Sequence, residues 1–364
     1  MEFFVLFQEA SGIGWITLNR PKALNALNAS MVEVIEKQLA IWKENPAISL
    51  VCIEGAGEKG LCAGGDMRSF YDEKDGDIDQ HALDFFATEY RMNHALDTFP
   101  KPILVYMDGI VMGGGIGISV YAQNRIVTER TRMAMPEMNI GYFPDVGASY
   151  FLNKSPGQMG KYMALSAKTF TGSDAIYLGL ADVYMQSEKW QELKEGLQSR
   201  NWEPLSTGET TACLSSLIAS FAQATPPPSH VAQVQEKVDR YFSKDSICEI
   251  FDSLNNGAKD GDKWAEETYA LLKGKSPNSL ALALEQLKRG KGKTLGECLR
   301  MELDMDMQII HTHDFYEGIR SVLVDKDRNP KWNPAQIKDL TRKWIDSFFI
   351  SPWAIEQHPL KDLV

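Results

Sequence analysis

DGIVMGGGIGIS, residues Asp108 to Ser119, sets three consecutive glycines, Gly113, Gly114 and Gly115, inside an apolar run. Glycine at such positions weakens helix or strand by roughly 0.5–1 kcal/mol per residue. A chain that keeps three in a row needs bare backbone there. The need is either structural, for a tight turn or close helix packing, or chemical, for a ligand lying against amide groups. The run follows a strand-like segment ending at Asp108–Gly109 and leads into apolar text with a helical look, IGISVYAQN. A helix N-terminus has unpaired amides and a partial positive charge, which suits developing negative charge. The run is not a G-x-G-x-x-G dinucleotide fingerprint, and it lacks the Lys-Ser/Thr ending of a phosphate loop.

Outward from this run, the first half of the chain alternates short β-rich stretches with helical ones. FFVLF, WITL, SLVCIEG, KPILVYMDG, NRIVTE and RMAMPE read as strands. Strands separated by helices predict an α/β fold with sheet covered by helices. Asn28 to Asn45 carries apolar residues at helical spacing (Met31, Val34, Ile35, Leu39, Trp42), with Asn28 or Ser30 as the cap. Beyond about residue 155 the strand signal fades. The ATPPPSH stretch, Ala224 to His230, bars a continuous helix, and the text after it is almost wholly helical. A structural boundary is expected between 200 and 228, with 1–200 as core and 201–364 as a helical C-terminal region.

The 364 residues are 44% hydrophobic and 24% charged, the composition of a globular chain, and carry a formal net charge of −11. That charge argues against nucleic-acid binding through a basic surface. Five cysteines (Cys52, Cys62, Cys213, Cys248, Cys298) form no C-x-x-C pair, which fits a reducing compartment without a zinc site or disulfide framework. The opening MEFFVLFQEASGIGWITLNRP reads as two strands joined at a glycine turn and lacks the form of a signal peptide. No apolar stretch reaches the roughly 18 residues of a membrane span. A cytoplasmic setting is expected, or the mitochondrial matrix for a processed eukaryotic form.

Two further segments carry candidate chemistry. KGLCAGGDM, Lys59 to Met67, follows the SLVCIEG strand, and its glycines free amides to face an oxygen or simply make a turn. MAMPEMNIGYFPDVGASYFL, Met133 to Leu152, sets Glu137 and Asp145 in apolar, glycine-rich text. Carboxylates in such surroundings are solvated at loop tips or held in a pocket for acid–base work. Asp145 after Pro144 also fits a helix cap. Cys62 lacks a nearby histidine and reads as a packing residue. His311 and His313 have an i, i+2 spacing that suits strand ligands, but they lie in helical text, so no metal site is expected.

Taken together, CAGGD at Cys62–Asp66, the MGGG at Met112–Gly115, MPE at Met135–Glu137 and NRPKALNAL at Asn19–Leu27 resemble the crotonase (enoyl-CoA hydratase/isomerase) superfamily. The finer resemblance is to its 3-hydroxyisobutyryl-CoA hydrolase branch. It rests on MGGGIGIS, MPEMNIGYFPDVGASYFL, TEYRMNHAL (Thr88 to Leu96) and HDFYEGIRSVLVDKDRNPKW (His313 to Trp332), and spans about residues 5–335. It implies a ββα spiral core and a helical C-terminal region. It also implies hydrolysis of a short 3-hydroxyacyl-CoA thioester, with 3-hydroxyisobutyryl-CoA from valine breakdown first and 3-hydroxypropionyl-CoA close behind. Coenzyme A is then part of the substrate, and no separate cofactor is expected.

Carried over by the resemblance, the backbone N–H groups of Gly65 and Gly114 form the oxyanion hole for the thioester carbonyl. The superfamily's hydratases use two glutamates; the later corresponds to Glu137, and the earlier falls on Gly117. The hydrolase branch uses the later glutamate with an aspartate, here Glu137 and Asp145. Glu137 either attacks the thioester or activates water. Asp145 holds the substrate's 3-hydroxyl or assists with protons, and Glu89 is a third substrate-contacting acid or an exposed acid on its helix. CoA is expected along Lys22–Leu27 and Cys62–Asp66, including Asp66, with its adenine near the Ala63 backbone and Lys22 or Lys326 toward its phosphates. The alternatives are a hydratase or isomerase using Glu137 alone, and a non-catalytic CoA-binding protein. The superfamily commonly forms trimers or pairs of trimers; the longer C-terminal part here leaves a homo-oligomer as an expectation only.

Overall fold

The computed structural model describes residues 3–203 and 205–363. The opening stretch forms strands β1 (Val5–Ala10) and β2 (Ile13–Leu18), paired antiparallel through a Ser11–Gly12 turn with φ of +55° and +82°. From there the chain winds as a repeating strand–strand–helix spiral. Strands β3 (Leu50–Gly55), β5 (Ile103–Met107), β7 (Asn124–Val127) and β10 (Val183–Tyr184) extend the first pair into a six-stranded sheet ordered β1-β2-β3-β5-β7-β10. The intervening β4 (Gly60–Cys62), β6 (Ile110–Met112), β8 (Arg132–Ala134) and β9 (Phe170–Thr171) make a second sheet in that order. All pairings are parallel except β1/β2 and β8/β9.

All five residues of β5 are buried, the mark of a parallel strand covered on both faces. One face of the large sheet packs Ile13, Trp15, Leu50, Leu104 and Ile126 against the helices Trp190–Gln198 and Thr207–Ala219. The strands expected from FFVLF to RMAMPE are all present. β4 and β6, beside the glycine loops, are additions to that reading, as are β9 and β10 past residue 155, whose two residues each are too short to leave a pattern. The helix Ala29–Glu44 is capped by the Asn28 side chain, which accepts from the Met31 amide. Its inner face holds Val32 rather than Val34, which is exposed. At 100° per residue Val34 lies roughly 95° from the centre of the stripe set by Met31, Ile35, Leu39 and Trp42.

The chain forms two compact units, each built from three segments. The first comprises the residues up to Gly65 with Arg91–Ala134 and Thr169–Ala232, and holds both sheets. The second comprises Asp66–Tyr90, Met135–Lys168 and the residues from Gln233 on, and all its long elements are helices. No helix among the described residues is long and apolar enough to cross a membrane.

Candidate active site

In the first unit the glycine run ends β6 and starts the single-turn helix Gly114–Gly117, shorter than the IGISVYAQN text suggests. The three glycines divide the work. Gly113 has φ of +49°, a left-handed conformation that favours glycine. A Cβ on Gly115 would stand 2.4 Å from the Cys62 carbonyl oxygen, so this residue lets the two loops close on each other. Gly114 begins the helix, and its amide is one of the N-terminal donors without an intrahelical acceptor.

Gly65 reaches the same neighbourhood from the other loop. Leu27 N–H donates to the Gly64 carbonyl at 2.8 Å, which fixes this loop, and Ala63 N–H donates to Leu24 O at 3.0 Å. A Cβ on Gly64 would come within 3.2 Å of Met112 O and 3.7 Å of Gly114 N, so the two loops lie close together and a side chain here would crowd the Gly114 amide. Among the described residues, neither the Gly65 nor the Gly114 amide donates to a backbone acceptor in these loops. Two free amides on adjacent loops suit an oxygen that gains negative charge. Cys62 is buried under Gly115, and Lys22 is exposed on the Pro21–Ala23 turn.

The second unit gathers the acids. Glu137 starts the short helix Glu137–Ile140, Asp145 lies in the loop that follows, and Glu89 comes from the helix Ile78–Asp97. Glu89 is 1%, Glu137 5% and Asp145 6% exposed, which excludes Glu89 as an exposed acid. Asp145 is not a side-chain cap either. The helix Ala148–Phe151 has Gly147 at its N-cap, and only the Asp145 backbone carbonyl accepts there, from Ala148 N–H. Glu89 Oε1 and Glu137 Oε2 are buried without a hydrogen-bond partner among the described residues. Unpartnered buried carboxylate oxygens are costly, and these two have the chemistry to take a hydrogen bond from a ligand.

Burial pushes the Glu137 carboxyl well above the ordinary range, with the charges of Asp145 and Glu89 adding to it. Burial does the same to Glu89, with Asp145 adding. Asp145 is pushed up to about 8, first by burial and then by the charge of Glu302. The walls are aromatic: Tyr142 stacks near Phe86 and Phe143, with ring centroids 6.0 and 4.6 Å away, and Phe315 stands 5.8 Å off.

Sequence reasoning missed a layer beneath these acids. The helix Leu295–Ile309 contributes Glu302 and Asp306, both fully buried. Glu302 accepts from the amides of Gly147 (2.6 Å) and Ser149 (3.0 Å) and from Gln286 Nε2 (3.0 Å), which clamps the loop after Asp145. Gln286 also donates to Pro144 O at 2.6 Å. Asp306 accepts from the hydroxyls of Tyr90 and Tyr142. The available signal was positional, since Glu302 and Asp306 fall on the stripe of Leu295, Cys298, Leu299, Met305 and Ile309. His311 and His313 face away from each other's partners: His311 Nε2 pairs with Asp79 Oδ1 and His313 Nε2 with Lys331 O, each at 2.8 Å.

A carboxyl raised in the fold keeps a proton that the unfolded chain releases, so stability falls as pH climbs from the unfolded value to the folded one. For Asp145 that window runs from about 3.9 to about 8. Asp145→Asn is therefore expected to melt above the parent protein at pH 8 and to lose that margin as pH approaches 4. Equal margins at both pH values in thermal melts would contradict a buried neutral carboxyl.

Comparison with known proteins supplies independent information. A model of the enoyl-CoA hydratase/isomerase family matches residues 13–349. A Xenopus tropicalis protein named 3-hydroxyisobutyryl-CoA hydrolase, mitochondrial, is 41% identical over 347 residues, covering 95% of this chain and 88% of the relative. Its Homo sapiens namesake is 38% identical over 348 residues, with the same coverage. Among solved structures, a carnitinyl-CoA dehydratase from Mycobacterium thermoresistibile superposes with a TM-score of 0.88 at 36% identity, covering 96% of this chain and 97% of the other. An enoyl-CoA hydratase from Rhodobacter sphaeroides 2.4.1 gives 0.86 at 32% identity, covering 96% and 98%.

Proposed function

The chain belongs to the enoyl-CoA hydratase/isomerase family, and we propose on that premise that it hydrolyses a short 3-hydroxyacyl-CoA thioester, 3-hydroxyisobutyryl-CoA first. Water and the thioester give the free hydroxy acid and CoA thiol. The observation that carries this reading is the carboxyl set. Glu137 and Asp145 are buried together, while Gly117 leaves no second glutamate at the position hydratases use. Hydrolase relatives across 95% of the chain support it.

Each proposed role follows from the chemistry of its group. The amides of Gly65 and Gly114 stabilise the oxyanion formed when the thioester carbonyl is attacked. Glu137, in its ionised form, either forms an acyl anhydride that water then opens or takes the proton of the attacking water. Single turnover in ¹⁸O-water identifies the anhydride route when label enters the Glu137 carboxylate, which requires water to open the anhydride at the Glu137 carbonyl. Asp145, protonated at neutral pH, holds the substrate's 3-hydroxyl by accepting its hydrogen bond on the unprotonated oxygen, and Glu89 receives the polar end of the acyl group. Ala63, Asp66 and Lys22 serve the CoA portion. We place the reaction in an aqueous compartment, the cytoplasm of a bacterium or the mitochondrial matrix of a eukaryote.

The two solved structures favour a second reading by their names, hydration or dehydration with Glu137 as the sole glutamate. The competing rates decide between them. Thiol release from 3-hydroxyisobutyryl-CoA, followed with a thiol reagent, is expected to exceed crotonyl-CoA hydration by about 10²-fold or more, the scale of one missing acid–base group. Faster hydration than thiol release would overturn the reading, and CoA binding without either activity would make the chain a binding protein.

A further inference from the structure

Tyr90 has one hydroxyl proton and two carboxyl neighbours. Its Oη lies 2.6 Å from Asp306 Oδ2 and 3.4 Å from Asp145 Oδ2. Asp306 takes the Tyr142 hydroxyl on its other oxygen. When both tyrosyl protons go to Asp306, the Tyr90–Asp145 contact is a hydrogen bond only if Asp145 itself carries a proton and donates it. When Asp306 is the protonated acid, Tyr90 turns and donates to Asp145 instead. Both arrangements place one proton and one negative charge on two carboxyls joined by a phenol.

We propose that Asp145, Tyr90 and Asp306 form a proton-sharing unit in which Asp306, a positioning residue, holds Asp145 in its protonated state. The shift between arrangements balances. The Asp145 Oδ2–H bond breaks as that proton bonds to Tyr90 Oη, Tyr90's own proton passes to Asp306 Oδ2, and the charge moves from Asp306 to Asp145. Geometry favours the proton on Asp145. Asp306 has two phenol donors, Tyr90 at 2.6 Å and Tyr142, whereas the Tyr90 contact of Asp145 is long at 3.4 Å and its other donors are its own backbone amide and the Tyr142 hydroxyl that Asp306 also holds. Hydrogen bonds to an ionised acceptor are the short, strong ones.

Burial raises Asp306 as well, with the Asp145 charge adding to it, so the low-dielectric wall of Phe86, Tyr142 and Phe315 resists two charges at once. The other acids facing Asp145 are Glu89 from the helix Ile78–Asp97, Glu137 from its own segment and Glu302 from the helix Leu295–Ile309. All three disfavour ionised Asp145, and only Asp306 is linked to it through an exchangeable proton.

The unit itself is tested in the free protein, and only the kinetic readout rests on the hydrolase reading. In Asp306→Asn the charge disappears and the shape stays. Infrared titration should then show the protonated-carboxyl band of Asp145 lost at a pH lower by about one unit or more. The alkaline limb of kcat for thiol release should move with it, while KM stays within about twofold. Tyr90→Phe keeps both carboxyls, removes the Tyr90 link and takes one donor from Asp306 while Tyr142 stays on both. It should lower kcat by about tenfold or more and leave the limb in place or higher, opposite to Asp306→Asn. A band and limb that stay put in Asp306→Asn overturn the proposal, as does kcat within about twofold of the parent in Tyr90→Phe. Absence of thiol release by the parent protein would fail the hydrolase reading and leave the infrared result standing.

Discussion

Glu137→Gln should lower kcat for thiol release by about 10²–10⁴-fold, the contribution of a positioned acid–base group. Gln matches Glu in size and hydrogen-bond reach but offers neither an ionisable oxygen nor a nucleophile, so both proposed routes lose their first step. The loss should be clean, because the side chain has little structural duty: Oε2 has no hydrogen-bond partner among the described residues, and the surroundings raise the cost of its charge. Removing that charge should hold or raise the melting temperature at neutral pH. An inactive and equally stable variant is therefore expected. A variant within about tenfold of the parent rate would remove Glu137 from the reaction, and an unfolded one would assign it to the core.

Gly114→Pro is the second large effect. Proline has no N–H, and at the first position of a helix its fixed φ is well tolerated. Gly114 occupies that position in the helix Gly114–Gly117. The variant thus deletes one proposed oxyanion donor with limited cost to the fold, and its ring also takes up room over the amide. Losing such a donor typically costs about 10²–10³ in kcat, or roughly 2.7–4 kcal/mol. Thiol-release kinetics with a melting curve as control should show the loss in kcat without a matching loss of stability. Undiminished kcat in a folded variant would remove Gly114 from the oxyanion site. Gly115, by contrast, should fail through folding, since any side chain there meets the Cys62 carbonyl.

How much of this was legible beforehand depends on how local each feature is. The glycine loops, Glu137 and Asp145 lie in short contiguous motifs, so their text could be read directly. Strands β1, β2, β3, β5, β7 and β8 were readable because each falls in a bounded apolar run; β4 and β6 are hidden beside the glycine loops, and β9 and β10 were too short. The helix after Gly113 ends within one turn, because apolar text after a glycine run does not say where the chain bends. Glu89 could not be distinguished from a solvated acid, since the partners that bury it come from other parts of the chain. Tyr90, Glu302 and Asp306 were silent for the same reason. An acid at positions 302 and 306 of an apolar helix face says that something polar is opposite, and only the fold shows that Asp306 faces Tyr90 and Tyr142 while Glu302 faces the loop after Asp145. Gly117 carried information only through the resemblance, which sets a hydratase's earlier glutamate at that position.

The central claim is that the thioester bond is the one that breaks. Incubating 3-hydroxyisobutyryl-CoA with the protein and weighing the products by mass spectrometry tests it on a single substrate. Free 3-hydroxyisobutyric acid and CoA in equal amounts are the expected products. The dehydrated 2-methylpropenoyl thioester, with its CoA still attached, would contradict the account.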